Sequence, residues 1–285
     1  MSERKVATVF THRRPTETSA ALGELVAAAR SAGYTLRFSP EETIKHGLKA
    51  EPGIEVDAPP TPDADICVVL GGDGTILHGL RTYARTGVPV FGVNFGEVGF
   101  LATIDPDDVA AGLRQAFRGD FETLSLPGIE AQTGGGAWLA MNDVSFHRQQ
   151  GLRVADLAVE VGEEEVGRVR CDGLVVATPA GSTGYNLANQ GPILAWGVKG
   201  YAVSYIAPHS LTARALVVAP ADVLTVFNAP DREPVEIALD GMEFGFLESG
   251  DDLKVHFVES AGRLAQLPGT SFYGRIRDKF GHLAV

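Results

Sequence analysis

The pattern of apolar and polar positions changes character once along this chain. Over roughly the first hundred residues, short β-branched runs alternate with stretches whose apolar residues recur at helical spacing, as in a parallel sheet covered by helices. Lys5–Phe10 (KVATVF) predicts a first strand. Leu22, Leu25, Val26 and Ala29 then make one helical stripe, with Gly33 placed to end it. Tyr34–Phe38 predicts a second strand and Ile66–Leu70 (ICVVL) a buried one, after which Ile76, Leu77, Leu80, Tyr83 and Ala84 share a helical face. Val88–Val93 gives the next strand. Asp105-Pro106-Asp107-Asp108 predicts an N-cap and a first turn, ahead of a buried stripe of Val109, Leu113, Ala116 and Phe117. Glu51–Asp65, with four prolines and five acidic residues and no periodicity, reads as a mobile loop.

After Gly119 nearly every apolar run is short and alternating, from Phe121 to about Glu259, which argues for an all-β sandwich or distorted sheet pack. Thr133–Ala137 (TGGGA) predicts its first hairpin turn, and the one helical interruption falls near Ser182–Asn189. The final stretch, residues 263–285, predicts a strand and a short helix. The chain therefore divides into an α/β domain over 1–119, with a doubly wound and mostly parallel sheet, a β-rich domain over 120–262, and a C-terminal segment over 263–285.

Composition narrows the chemistry. A hydrophobic content of 45% over 285 residues fills two cores without metal or disulfide. Lys plus Arg number 24 against 36 Asp plus Glu, a formal charge of -12, which disfavours a broad basic face for nucleic acid. Cys67 and Cys171 form neither a metal-ligand spacing nor a disulfide scaffold, as suits a reducing cytosol. Neither a signal-peptide core in the first ten residues nor a membrane-length apolar window is present, so a cytoplasmic protein with no membrane partner is expected.

Three stretches carry candidate chemistry. In Val68–Leu80 (VVLGGDGTILHGL) a strand gives way to a helix across Gly71-Gly72-Asp73-Gly74-Thr75. The glycines are expected to permit backbone angles closed to other residues and to admit a ligand to the main chain, while the helix start favours phosphate. A carboxylate there repels phosphate unless it does chemistry: Asp73 is suited to accept a proton from an attacking hydroxyl or to hold a cation such as Mg²⁺. The plain alternative is a surface turn. No Walker-type Gly-Lys-Ser/Thr follows, and the first strand turn lacks Gly-x-Gly-x-x-Gly. In Arg170–Ile193 a second strand leads into Pro179–Gly184 and a short helical pattern, with Asp172 free to accept from hydroxyls or an amine; the plain alternative is a Gly/Ser/Thr connector. In Met141–Arg148, Asn142-Asp143 interrupts an apolar strand. Adjacent strand positions face opposite ways, so one of the two should point inward and need a partner such as a diol.

Taken in order, Gly71–Gly74, Gly92–Leu101 (GVNFGEVGFL), Asn142-Asp143 and Asp172–Asn186 (DGLVVATPAGSTGYN) resemble the NAD kinases, over about Ile66 to Leu216. The resemblance implies an α/β domain, a β domain and a C-terminal segment returning to the first. It also implies a homodimer or homotetramer that phosphorylates the 2′-hydroxyl of the adenosine ribose of NAD, with ATP or polyphosphate as donor and a divalent ion, Mg²⁺ foremost, as cofactor. Carried over, Asp73 is the catalytic aspartate and Gly71, Gly72, Gly74 and Thr75 the donor loop. Asn142 and Asp143 contact the ribose on the nicotinamide side, Arg170 and Asp172 lie near the nicotinamide, and Thr183, Gly184, Tyr185, Asn186, Leu187 and Ala188 line the adenosine site. Phe100 lies near the adenine, Ala207 is a contact in the next strand, and His78 and Arg153 are basic or polar contacts. Together with Arg168 and Arg170, these last two are expected to give the anionic substrates a basic lining. The family's TPTGSTAY reads TPAGSTGY here, and Met242 stands where it often has glutamine. A lipid or sugar kinase would share the glycine loop without a use for Asn142-Asp143, and an NAD-binding sensor would have no use for Asp73.

Overall fold

The computed structural model describes residues 5–97 and 99–281; Val98 of the Gly92–Leu101 stretch, the first four residues and the last four of the C-terminal segment lie outside the described residues. Two compact units divide the chain: Met1–Ser125 with Gly262–Val285, and Leu126–Ala261. In chain order the first unit holds β1 (Lys5–Thr11), α1 (Ser19–Ala32), β2 (Tyr34–Phe38), α2 (Pro40–His46), β3 (Ile54–Glu55), β4 (Ile66–Gly71), α3 (Asp73–Thr82), β5 (Pro89–Asn94) and α4 (Val109–Arg118). Then come β6 (Glu122–Thr133), β7 (Gly136–Ala140), β8 (Asp143–Arg148), β9 (Ala155–Val161), β10 (Glu164–Cys171), β11 (Gly173–Ala177) and α5 (Tyr185–Ala188). The chain continues through β12 (Tyr201–Ile206), β13 (Leu216–Val218), β14 (Leu224–Asn228), β15 (Val235–Leu239) and β16 (Met242–Leu247) to β17 (Asp252–Gln266) and α6 (Phe272–Phe280).

In the first unit the strands run parallel in the order β3-β2-β1-β4-β5, with Arg263 and Leu264 of β17 pairing in parallel beside β5. β4 shows why its sequence is apolar throughout. Ile66, Val68 and Leu70 face the core built by α1 and α4 around Leu25 and Leu113, whereas Cys67 and Val69 face α3, so close that a Cβ on Gly79 would meet them at 3.3 and 3.2 Å. From β1 the chain passes through α1 to β2 on one side, and from β4 through α3 to β5 on the other. The order thus reverses between the C-terminal ends of β1 and β4, the position where open α/β sheets bind ligands.

Elements absent from the periodicity have a physical reason. α2 carries a capping signal, with the Ser39 hydroxyl accepting from the Glu42 amide, Pro40 in its first turn and Gly47 in the left-handed region at its end, yet it buries only Glu42 and Thr43 and so has no apolar stripe. β3 adds a two-residue strand inside the predicted loop, on the edge of the sheet. Asp105 does not cap α4 with its side chain. A 3₁₀ turn over Pro106–Asp108 comes first, and the Asp105 carboxylate accepts from Asn94 Nδ2 at 3.3 Å instead.

The second unit has a six-stranded antiparallel sheet, β13-β12-β11-β8-β15-β16, and a row β10-β9-β14-β17. Phe146, Leu174, Tyr201, Leu224 and Leu253 from the two share one buried core. β6 and β7 form a hairpin that closes over Gly134 and Gly135.

Candidate active site

Asp73 is the first residue of α3, at the C-terminal end of β4 where the strand order reverses. Its carboxylate is clasped by two successive amides, Phe100 N donating to Oδ2 and Leu101 N to Oδ1, both at 2.8 Å. Each oxygen keeps a lone pair beyond that bond, and the positive end of α3 lies behind the group. The backbone freedom expected of the glycines around it is not used. None of Gly71, Gly72 and Gly74 has positive φ. A Cβ on Gly71 would come within 2.6 Å of Thr75, and one on Gly72 within 3.1 Å of Gly96 Cα, so these two admit neighbouring parts of the chain rather than a strained backbone. Gly74 differs: it is exposed, and a Cβ there would meet nothing within 4 Å.

The loop that clasps Asp73 is held in turn by the tail helix, which sequence reasoning did not connect to the site. Arg275 on α6 donates through Nη1 to the carbonyls of Phe100 (3.1 Å) and Gly99 (3.4 Å), and through Nη2 to Gln266. Phe100 itself is buried, its ring against Phe272 and Phe280, so its placement beside a ligand base receives no support from an exposed ring face. Burial lowers the Arg275 pKa, with Asp73 and Asp105 opposing that shift as nearby negative charges. Arg275→Met should therefore destabilise the protein by about 1.5–3 kcal/mol, the scale of a charge-assisted hydrogen bond lost from a partly buried site, and lower kcat by loosening Asp73. Denaturant melts and steady-state kinetics measure the two effects.

At the end of β1, the neighbour of β4, lies a buried polar cluster. Thr11 Oγ1 donates to Glu42 Oε2 (2.6 Å), Thr11 N to Glu42 Oε1 (3.0 Å), and Lys45 Nζ to Glu42 Oε1 (2.8 Å). Since the Thr11 hydroxyl proton is used on Glu42, the 2.7 Å contact to His46 Nε2 places the proton on that nitrogen. Burial lowers the His46 pKa below its ordinary 6.5, with Glu42 opposing and Lys45 adding to the shift. A histidine held neutral on folding binds fewer protons than in the unfolded chain, so its stabilising share is lost as pH falls through 6.5. Melting temperatures between pH 8 and 5.5 should decline less steeply in His46→Gln.

In the second unit, the two predicted stretches are brought together. Thr178 Oγ1 donates to Met141 O (2.7 Å), Thr178 N to Asn142 O (2.8 Å), and a Cβ on Gly181 would fall 2.1 Å from Asn142 O, so the Pro179–Gly184 turn lies directly on the Asn142-Asp143 step. Asp143 is 6% exposed, and burial followed by the charge of Asp240 raises its pKa to about 7. Asn142 Oδ1 is buried without a hydrogen-bond partner among the described residues. Tyr185 stacks on His147 at 5.5 Å, and its hydroxyl feels the charges of both Asp143 and Asp172. Asp172 is half-exposed and accepts from Arg148 Nε. A cavity of about 480 Å³ joins Ala188 to Ala207, flanked by Gln190; Gln190 and Ala207 both hold positive φ, at 60° and 42°. Such strained positions cluster at functional sites.

Other expected contacts are placed differently. The Asn186 side chain is fully buried and donates to Ser182 O and Pro192 O, closing its own turn, so it is not presented to a ligand. Of the residues expected to give a basic lining, Arg168 and Arg170 are engaged by Asp156. Arg168 chelates Asp156 (2.8 and 3.1 Å), Arg232 donates to the same carboxylate (2.8 Å), and Arg170 stands 3.9 Å from it, two residues from Arg168 and so on the same face of β10. His78 packs edge-on against Phe10, and desolvation followed by Arg81 lowers its pKa, so it is a neutral ring at pH 7. Arg153, Gly184 and Met242 are exposed, Thr183 and Leu187 half-buried. Among the described residues no three His, Cys, Asp or Glu side chains form a metal cage, and no helix is long and apolar enough to cross a membrane.

An α/β unit with a carboxylate at a glycine-rich strand-to-helix junction, joined to a β unit with buried hydrogen-bonding groups, defines a phosphotransferase-like architecture. Comparison with known proteins makes this specific. The profile of the ATP-NAD kinase N-terminal domain matches residues 10–121, and that of the C-terminal domain residues 141–266. The chain is 33% identical over 282 residues to the NAD kinase of Gemmatimonas aurantiaca, covering 96% of this chain and 94% of the relative. It is 34% identical to that of Ralstonia nicotianae, covering 92% and 87%. This chain belongs to the NAD kinase family. Its fold is that of yeast NADH kinase complexed with NADH (TM-score 0.87, 23% identity, covering 100% of this chain and 90% of that one) and of an NAD kinase from Archaeoglobus fulgidus in complex with ATP (TM-score 0.74, 24% identity, covering 97% of each).

Proposed function

We propose that this chain transfers the γ-phosphoryl group of ATP to the 2′-hydroxyl of the adenosine ribose of NAD, giving NADP and ADP. The observation that carries the reading is Asp73, an aimed carboxylate with both oxygens fixed by amides at the head of α3. The acceptor hydroxyl donates to a remaining lone pair of Asp73. As the oxygen attacks the γ-phosphorus and the bond to the β–γ bridging oxygen breaks, its proton passes to Asp73 and ADP leaves. An aspartate is a weak base, so holding the hydroxyl in line contributes alongside proton removal. Residues 71–75 receive the donor's phosphates, with the exposed space over Gly74 as their entry to the main chain.

Among the described residues no three carboxylate, imidazole or thiol groups cluster at Asp73, so Mg²⁺ would arrive on the donor's phosphates, where Asp73 would help to hold it and the ion would neutralise phosphate charge. In the β unit, the buried Asp143, the half-buried Asn142 and Asp172 and the exposed Tyr185 supply groups for ribose hydroxyls and the nicotinamide amide. Residues 1–119 accordingly serve the donor and catalysis, residues 120–262 hold NAD, and residues 263–285 brace the first through Arg275. A homodimer or homotetramer in the cytoplasm belongs to the same reading. Its support is the family likeness and the exposed apolar Leu211, Leu216 and Val217, at and before the edge strand β13.

The test is NADP formation from NAD, ATP and Mg²⁺, with polyphosphate replacing ATP in a parallel assay. NADP from either donor supports the reading. A folded protein that makes none, and instead phosphorylates a lipid or a hexose phosphate, overturns it.

A further inference from the structure

Asp240 sits in a two-residue turn with Gly241 between β15 and β16, Leu239 pairing with Met242 across it. Both turn residues have positive φ, 50° and 73°. A two-residue hairpin of this kind accepts Asn-Gly as readily as Asp-Gly, so the turn alone needs no carboxylate. Yet three successive amides converge on this one: Met141 N donates to Oδ2 (3.1 Å), and Asn142 N (2.6 Å) and Asp143 N (3.1 Å) to Oδ1. Asp240 N returns a bond to Asp143 O at 2.8 Å. Successive amides aimed at a single point form an anion-binding nest, and here the chain supplies the anion itself.

What this nest holds is the Asn142-Asp143 step. Asp143 is buried among three neighbouring elements. The β15–β16 turn sets Asp240 against it, α5 brings Tyr185, and β11 places the non-ionisable Ala177 opposite it. We infer that Asp240 is the positioning residue of this step: its charge folds residues 141–143 around itself, presses against Asp143, and thereby sets how that carboxyl engages the ribose diol of NAD. The inference rests on the proposed function for its ligand and on geometry for its device.

The sign of the pH dependence follows. Burial first, and Asp240 second, raise the Asp143 pKa to about 7. Diol hydroxyls donate, so they bind the ionised form, and NAD uptake displaces the proton from Asp143 when it is present. Affinity for NAD therefore falls as pH drops below about 7 and levels off above it. Because the unfolded carboxyl ionises near 3.8, burial and the Asp240 charge also cost folding stability progressively as pH rises from about 4 to about 7, and that cost stays constant above it.

The first variant is Asp240→Asn, which keeps the favoured turn and removes the charge. Carboxyl ¹³C titration of the free protein should show the Asp143 midpoint moving down by about one unit or more, the scale of one near charge. The acid limb of the NAD dissociation constant, measured by calorimetry, should move with it. Asp240→Gly, which keeps the left-handed turn and removes the acceptor, should raise KM for NAD about tenfold, the scale of one charge-assisted bond, with kcat nearly held. In Asp143→Asn, with Asp240 still in its nest, the acid limb should vanish. An Asp143 midpoint unmoved by Asp240→Asn, or an acid limb that survives Asp143→Asn, overturns the inference. A wild-type protein that titrates as described but binds no NAD overturns the proposed function and leaves the assignment of Asp240 to the titration.

Discussion

Replacing Asp73 by asparagine is expected to cut NADP formation by about 10²–10⁴-fold, the usual contribution of a positioned general base. The structure also shows that this substitution, though isosteric, is not silent toward the fold. The carboxylate accepts from the amides of Phe100 and Leu101 at once, one on each oxygen. An asparagine side chain has one acceptor oxygen and one NH₂, so one of those amides would face a donor. Leaving a partly buried amide unpaired costs up to about 1–3 kcal/mol, and the variant should melt at a lower temperature. The kinetics must separate the two effects. If Asp73 acts on the hydroxyl in the transition state, kcat falls while KM for NAD changes little; a loop that has merely lost its anchor raises KM as well. An Asp73→Asn enzyme with near wild-type kcat, assayed well below its melting temperature, would exclude Asp73 as the base.

The sequence made some of this legible and concealed the rest for identifiable reasons. β4 and α3 were readable because an unbroken apolar run, a glycine cluster and a helical stripe follow one another without ambiguity. α2 was not, because a helix that buries a glutamate and a threonine leaves no periodic trace, although Ser39-Pro40-Glu41-Glu42 spells out its start. The glycines were found for the wrong reason: Gly71 and Gly72 answer to close contacts with Thr75 and Gly96, distances that no local pattern encodes. Arg168 and Arg170 looked like a lining for anions until β10 paired them across the strand from Asp156, a partner more than ten residues away in the chain. Arg275 and Asp240 were missed as parts of the site because they act through backbone groups of residues about 175 and 98 positions distant, and a hydrogen bond to an amide or a carbonyl leaves no signature in residue type.

These pieces share a division of labour. The groups suited to meet substrate are few and each is fixed by a residue that does not meet it: Asp73 by two amides steadied through Arg275, Asp143 by the nest on Asp240, Asp172 by Arg148. Preorganisation of this kind matters most where the chemistry is largely positioning, as in phosphoryl transfer. It also concentrates instability, because Asp143 is held ionised at a cost above pH 7 and Gln190 and Ala207 are held in strained backbone conformations.

Gly74→Ala should separate function from stability in the opposite sense to Asp73→Asn. Gly74 is the second residue of α3, exposed, with φ in the ordinary range and nothing within 4 Å of where a Cβ would stand. By helix propensity alone alanine is better there by up to about 1 kcal/mol, so the variant should melt at or slightly above the wild-type temperature. Neither strain nor packing against the chain accounts for a glycine at this position, in contrast to Gly71 and Gly72. If the donor's phosphates approach the main chain over it, a single methyl group displaces them by about the 1 Å that costs on the order of 10²-fold in rate. The expected result is therefore a protein as stable as the parent whose kcat/KM for ATP falls about 10²-fold while KM for NAD is held. Full activity in Gly74→Ala would mean that the phosphates enter elsewhere, and the role of residues 71–75 would then reduce to presenting Asp73.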